Sequence, residues 1–105
     1  WEAGIDLISR GAPGLVIAHA PKDYMMAQVD STIALTFLDL AAPTFGLGTC
    51  WAGFFMIAAA QWPPLQESLA LPEGNACFGA MMIGYPKYKY HRMPLRKEAD
   101  ITWRE

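Results

Sequence analysis

Val29, Ile33, Phe37 and Leu40 recur at intervals of four, four and three residues, the spacing of one apolar stripe on an α-helix. Asp30 and Ser31 supply capping-type side chains near its start. Asp39 falls off the stripe and is expected in solvent. Pro43 and Gly46 should end or kink the helix. Upstream, residues 15–20 form a short, unbroken apolar run bounded by Gly14 and Pro21. Being apolar on both alternating faces, it predicts a central strand covered on both sides. His19, near its end, is expected to be partly buried and hydrogen-bonded.

The remaining elements follow from punctuation and period. Residues 1–10 read as the end of a helix closed by Gly11, and Gly11-Ala12-Pro13-Gly14 as a turn. Residues 49–55 read as a short extended segment and 56–60 as helix. Pro63 and Pro64 can open a further helix over 65–71, since proline is tolerated in a first turn. Residues 72–75 make a turn, and 76–84 a second buried strand. Met25-Met26 and Met81-Met82 read as adaptable packing. This order predicts an α+β fold, a mixed and mainly antiparallel sheet flanked by helices, in one domain over residues 1–105. Three strands are few for an independent sheet, so missing partners are expected. The opening at Trp1 suggests a fragment as well.

Composition narrows the classes. Of 105 residues, 53% are hydrophobic and 17% charged, which predicts a packed core rather than disorder. The net charge of −2 argues against a general nucleic-acid or membrane-surface binder. Residues 40–66 carry no charge until Glu67, long enough to span a bilayer. Pro43, Gly46, Gly48, Gly53, Pro63 and Pro64 interrupt that stretch, so it reads as the core of a soluble protein. Cys50 and Cys77 are too widely spaced for a paired metal or redox motif. They read as buried thiols in a reducing, cytoplasmic setting. No metal site is expected. Six cations, Lys87, Lys89, Arg92, Arg96, Lys97 and Arg104, crowd the last fifth of the chain.

Four segments, in order, resemble the nitroreductase family of flavin oxidoreductases. Residues 11–18 resemble its strand after the first helical part. Leu40-Ala41-Ala42, with residues 45–53, resemble its central helix and the loop beneath the flavin. Leu71-Pro72-Glu73-Gly74 and Met82-Ile83-Gly84-Tyr85-Pro86 resemble its late strand. His91-Arg92-Met93-Pro94-Leu95 resembles its phosphate-proximal tail. The wording of residues 86–92 is most similar to the branch with an upstream ferredoxin-type iron–sulfur domain.

The resemblance implies a C-terminal portion without the family's N-terminal helices. It also implies FMN as cofactor and a homodimer with flavin sites at the subunit interface. Electrons would come from NAD(P)H or a ferredoxin-type donor and pass to a small electrophile such as a nitroaromatic or quinone. Trp51, Ala52 and Gly53 match the loop against the isoalloxazine ring, with Ala52 where many relatives carry an acid. Arg92 matches the tail arginine on the FMN phosphate, where a forked guanidinium suits the geometry, and Lys89 is a poorer candidate. No catalytic acid or base is identified.

Two other classes compete. A non-catalytic assembly fragment with an incomplete flavin site is suggested by Ala52 and the absent helices. Single-stranded nucleic-acid binding would use the interleaved aromatics and cations of residues 85–92, and the acidic net charge disfavours it.

Overall fold

The computed structural model describes residues 3–105. Trp1 and Glu2, part of the expected N-terminal helix end, lie outside the described residues. Over residues 3–10 no helix forms. Asp6 instead gathers the backbone N–H groups of Ile8, Ser9 and Gly11 at 3.0, 2.9 and 3.1 Å into a tight bend.

Strand β1 (Gly14–Pro21) leads into helix α1 (Ala27–Ala41), a 3-10 turn (Ala42–Phe45) and the short strand β2 (Gly48–Trp51). Helices α2 (Gly53–Gln61) and α3 (Pro63–Ser68) follow, and β3 (Asn75–Gly84) closes the ordered part. The sheet order is β1-β3-β2, antiparallel at both pairings. The α+β architecture matches the expectation, with no parallel pair among the described residues. The central strand does not: β1 lies at an edge, and β3 takes the middle.

Why β3 is central can be read from its two faces. Opposite Ala18 and His19, the register of β3 jumps from Gly79 to Cys77, leaving Phe78 as a bulge residue. Because Ala18 and His19 point to opposite faces, so do Gly79 and Cys77. Leu35 of α1 closes over Gly79, where an added Cβ would lie 2.6 Å from Leu35 Cδ1. On the other side the Cys77 thiol donates to Met56 Sδ of α2 at 3.5 Å. The bulged Phe78 carbonyl accepts a 2.9 Å bond from the Gln28 side chain. Gly79, Ala80 and Met81 are consequently buried.

Helix α1 reverses the predicted phase. Ala27, Ser31 and Leu35 are its buried residues, whereas Val29, Ile33, Phe37 and Leu40 are 47–69% exposed. At 100° per residue the two sets lie on opposite sides of the helix, so both sides are apolar and only one meets the sheet. Asp30 and Ser31 fall inside the first turns rather than at the cap, which is Met26. Pro43 and Gly46 do end the helix: the 3-10 turn follows directly, and Gly46 adopts φ 72°. Residues 53–55, expected to be extended, already belong to α2.

Beyond Gly84 the chain has no regular structure and is exposed throughout. This tail carries the radius of gyration to 17.0 Å, against about 13 Å for a compact chain of this size. None of the helices among the described residues is long and apolar enough to cross a membrane.

Candidate functional site: the β2–α2 shelf

Four residues are all that β2 contributes, and one side of it is unpaired among the described residues. Its position is fixed by ladder bonds to β3, with Trp51 opposite Met81, and by the Ala52 N–H, which donates to Ala80 O at 3.0 Å. The chain then turns directly into α2. Ala52 serves as N-cap without any side-chain cap, and its carbonyl accepts the first helical bond, from Met56 N at 3.0 Å. The N–H groups of Gly53, Phe54 and Phe55 precede that first bond and are the orphan donors of the helix start. The helix dipole adds partial positive charge there.

The three loop residues expected to meet the flavin ring occupy different environments. Trp51 is 46% exposed, whereas the Ala52 methyl is buried. At Gly53 an added Cβ would meet nothing within 4 Å. Trp51 and Gly53 therefore form an open shelf with backbone donors along it, and Ala52 is its pivot, anchored to the sheet. The missing side chain at Gly53 keeps the approach clear.

One supporting residue escaped the sequence reading. Asp39, expected in solvent, is half-buried and accepts a hydrogen bond from the Thr49 hydroxyl, tying β2 to α1 two residues before Trp51. The signal was available: Asp39 lies four residues beyond Leu35 and eight beyond Ser31, on the buried side of the helix. His19 is exposed rather than partly buried, though its Nδ1 does pair with Asn75 Nδ2 at 2.8 Å.

The cysteines also divide. Cys50 is exposed, contrary to expectation, and Cys77 is half-buried. Burial pushes the Cys77 thiol above its ordinary range, with a smaller opposing effect from its bond to Gly79. Among the described residues, no cluster of three or more His, Cys, Asp or Glu side chains is placed to hold a metal ion.

Lys89 and Arg92 lie on the exposed tail. Arg92 shares a shallow depression with Met93, Pro94 and Leu95 alone, and Trp51, Ala52 and Gly53 are not in its wall. The fold thus leaves Trp51 and Gly53 open on either side of the buried Ala52, and the depression at Arg92 is lined by tail residues.

The Nitroreductase family model matches residues 1–85, leaving Lys89 and Arg92 beyond the match. No curated protein matches the chain. Among solved structures, a nitroreductase with bound FMN from Bacteroides fragilis superposes with a TM-score of 0.74 at 25% identity, over 93% of this chain and 54% of that one. A protein described as an NADH dehydrogenase/NAD(P)H nitroreductase from Parabacteroides distasonis gives 0.58 at 24% identity, over 81% of this chain and 50% of that one. The second likeness speaks to fold alone. The chain therefore spans about half the length of both. With the family model covering most of its length, the chain belongs to the nitroreductase family.

Proposed function

We propose that this chain supplies the isoalloxazine-facing half of an FMN site in a flavin oxidoreductase. The observation that carries the reading is the open shelf of Trp51 and Gly53 at the α2 N-terminus. Its chemistry suits a planar ring with hydrogen-bond acceptors on its edge: an aromatic surface, an unobstructed glycine and backbone donors fixed by the fold. When bound, FMN supplies reversible two-electron chemistry. The protein's part is to position and to stabilise. The N–H groups of Gly53, Phe54 and Phe55 are aimed by α2 and stabilise negative charge that grows on an acceptor atom beside them. Trp51 shields one side of the ring from water, and the Ala52 N–H bond to Ala80 keeps the shelf from shifting.

On this reading Arg92, and less effectively Lys89, swing with the tail onto the FMN phosphate. A homodimer would bring the remaining walls, since the outer stripe of α1 is uncovered. NAD(P)H or an iron–sulfur donor, the latter in a protein of the ferredoxin-fused branch, would deliver electrons. Nitroaromatics or quinones would receive them over the open ring face. Unpaired Cys50 and Cys77 suit a reducing, cytoplasmic setting. A non-catalytic assembly role is the second reading, favoured by the uncovered apolar side of α1.

Flavin fluorescence titration of the chain and of W51A, G53V and R92A tests the proposal. Weakening of at least about tenfold by G53V, and about fivefold by R92A, is expected for a ring-contact position and a charged phosphate contact. Equal FMN affinity in G53V and the parent would remove the shelf from the site. A full-length relative of this chain that retains no flavin after reconstitution would favour the assembly role.

A further inference from the structure

A cleft of about 490 Å³ opens where β3 begins, against α2, the end of α3 and the turn that follows. Local contacts build its walls. Gln66 Nε2 donates to Ala59 O at 2.5 Å, fastening α3 to the last turn of α2. Ala70 at φ 48° and Gly74 at φ 81° then carry the chain round the mouth. The Lys22 N–H donates to Gly74 O at 2.9 Å, tying that turn to the end of β1. The shelf donors Gly53, Phe54 and Phe55 are not among the walls.

Two sulfur side chains meet in this cleft, Met56 from α2 and Cys77 from β3. Their sulfurs are 3.5 Å apart, and both residues are half-buried, sheltered yet reachable. Cys77 is in no disulfide, and the other hydrogen-bond partner of its thiol among the described residues is Gly79 O, at 3.5 Å. Burial pushes the thiol above its ordinary range, which leaves little thiolate to attack electrophiles. Among the charged residues of the walls, Glu67 and Glu73 outnumber Lys22, so a cation is favoured over an anion.

We propose that Met56 and Cys77 form a two-sulfur site for a monovalent soft metal ion of the Cu(I) class. Thiolate and thioether are the donors that select Cu(I) over harder divalent ions. Zinc takes four donors, and no cluster of three or more His, Cys, Asp or Glu is placed to hold it among the described residues. Metal–sulfur bonds of about 2.3 Å drawn across the present 3.5 Å gap would meet at roughly 100°. Opening the gap by about 1 Å makes them collinear, and the rotatable bonds of methionine allow it. Binding exchanges the Cys77 proton for the ion. A sulfur–metal bond replaces S–H, a lone pair of Met56 Sδ forms the second bond, and the proton passes to solvent. No electron is transferred. The bound ion ties α2 to β3, and the assignment does not require the flavin reading.

The test is anaerobic titration of the 105-residue chain, carrying C50S to remove the exposed thiol, with Cu(I) held in competition by bicinchoninate. One ion per chain should leave the chelator, with release of one proton and a rise in thermal midpoint. C50S/C77S should lose the binding. C50S/M56L, close in volume to the parent, should bind at least about tenfold more weakly, since loss even of an outer partner costs a metal site that much. Far-ultraviolet circular dichroism verifies that both variants keep the fold. Excess Zn(II) should not displace the ion. Absence of Cu(I) uptake, uptake retained without Cys77, displacement by Zn(II), or equal affinity in C50S/M56L, which would reduce the site to a lone thiol, overturns the proposal. Flavin titration of the same C50S chain is a separate measurement, so failure of the sulfur site and failure of the flavin reading remain distinguishable.

Discussion

The contact between α1 and β3 can be tested by a double-mutant cycle at Leu35 and Gly79. Leu35 is 3% exposed, so L35A should cost about 2–4 kcal/mol through lost burial and the void left behind. G79A places a methyl 2.6 Å from Leu35 Cδ1, roughly 1 Å closer than ordinary carbon–carbon contact. Forcing Leu35 aside in a packed layer should cost about 1–3 kcal/mol. Replacing glycine also narrows the unfolded ensemble, by about 0.4–1 kcal/mol in the stabilising direction. That contribution is the same in the parent and in the L35A background, and it cancels in the cycle. Once L35A has shortened the side chain, the clash is gone and the methyl introduced by G79A fills part of the void. The double variant should therefore be about 1–2 kcal/mol more stable than the sum of the single changes predicts, well above the scatter of additive pairs. Urea unfolding of the four proteins, followed by far-ultraviolet circular dichroism, supplies the numbers. Additivity within about 0.5 kcal/mol would mean that Leu35 does not rest on Gly79 and that the sheet-facing side of α1 is wrongly assigned.

Four further outcomes are expected. G53A should change stability by no more than about 1 kcal/mol, because its methyl enters open space at a helix start, yet it should weaken FMN; parallel melts and titrations separate the two effects. T49V should cost about 1–2 kcal/mol by leaving the half-buried Asp39 carboxylate unpaired, and T49S should recover most of it; equal melting of parent and T49V would show that this bond holds nothing. Cys50 should be alkylated before Cys77 at mildly alkaline pH, by mass spectrometry of tryptic peptides, since the raised Cys77 value leaves less thiolate. The same shift makes a linkage prediction. Stability from the protonated Cys77 thiol is fully present below the unfolded thiol's ordinary value and is lost as pH rises through the raised folded value, so C77A should flatten the alkaline fall in urea midpoint.

Much of the fold was legible because strands and breaks leave local marks. Gly14 and Pro21 bracket β1, Pro43 and Gly46 stop α1, Pro63 starts α3, and Gly74 precedes β3. The shelf was legible only through resemblance: nothing in Trp51-Ala52-Gly53 alone states that Ala52 would turn inward and Gly53 outward. That division depends on the Ala80 carbonyl, which lies 28 positions away and fixes the Ala52 N–H. The same limit hid the strand order. Both β1 and β3 are apolar on alternating positions, and which becomes central depends on the helices that cover it. The deciding contacts, Leu35 on Gly79 and Met56 on Cys77, join residues more than 20 positions apart.

Helix α1 shows how a correct period can carry a wrong phase. Its large apolar residues, Val29, Ile33, Phe37 and Leu40, make the stronger stripe, yet the sheet takes the opposite side through Ala27, Ser31 and Leu35. Close approach explains the choice. The β3 face left open by Gly79 accepts a helix through small residues and one leucine, whereas four bulky side chains would hold it away. The bulky stripe then faces outward on the side of α1 opposite the sheet. Apolar burial is worth about 25 cal/mol per Å², so leaving these four side chains in water forfeits several kcal/mol, a cost that any surface settling on the stripe would remove. Asp39 links that consideration to the site. It lies on the sheet side of α1 and holds Thr49, so any surface that settles on the outer stripe bears on the helix that anchors β2, two residues from Trp51.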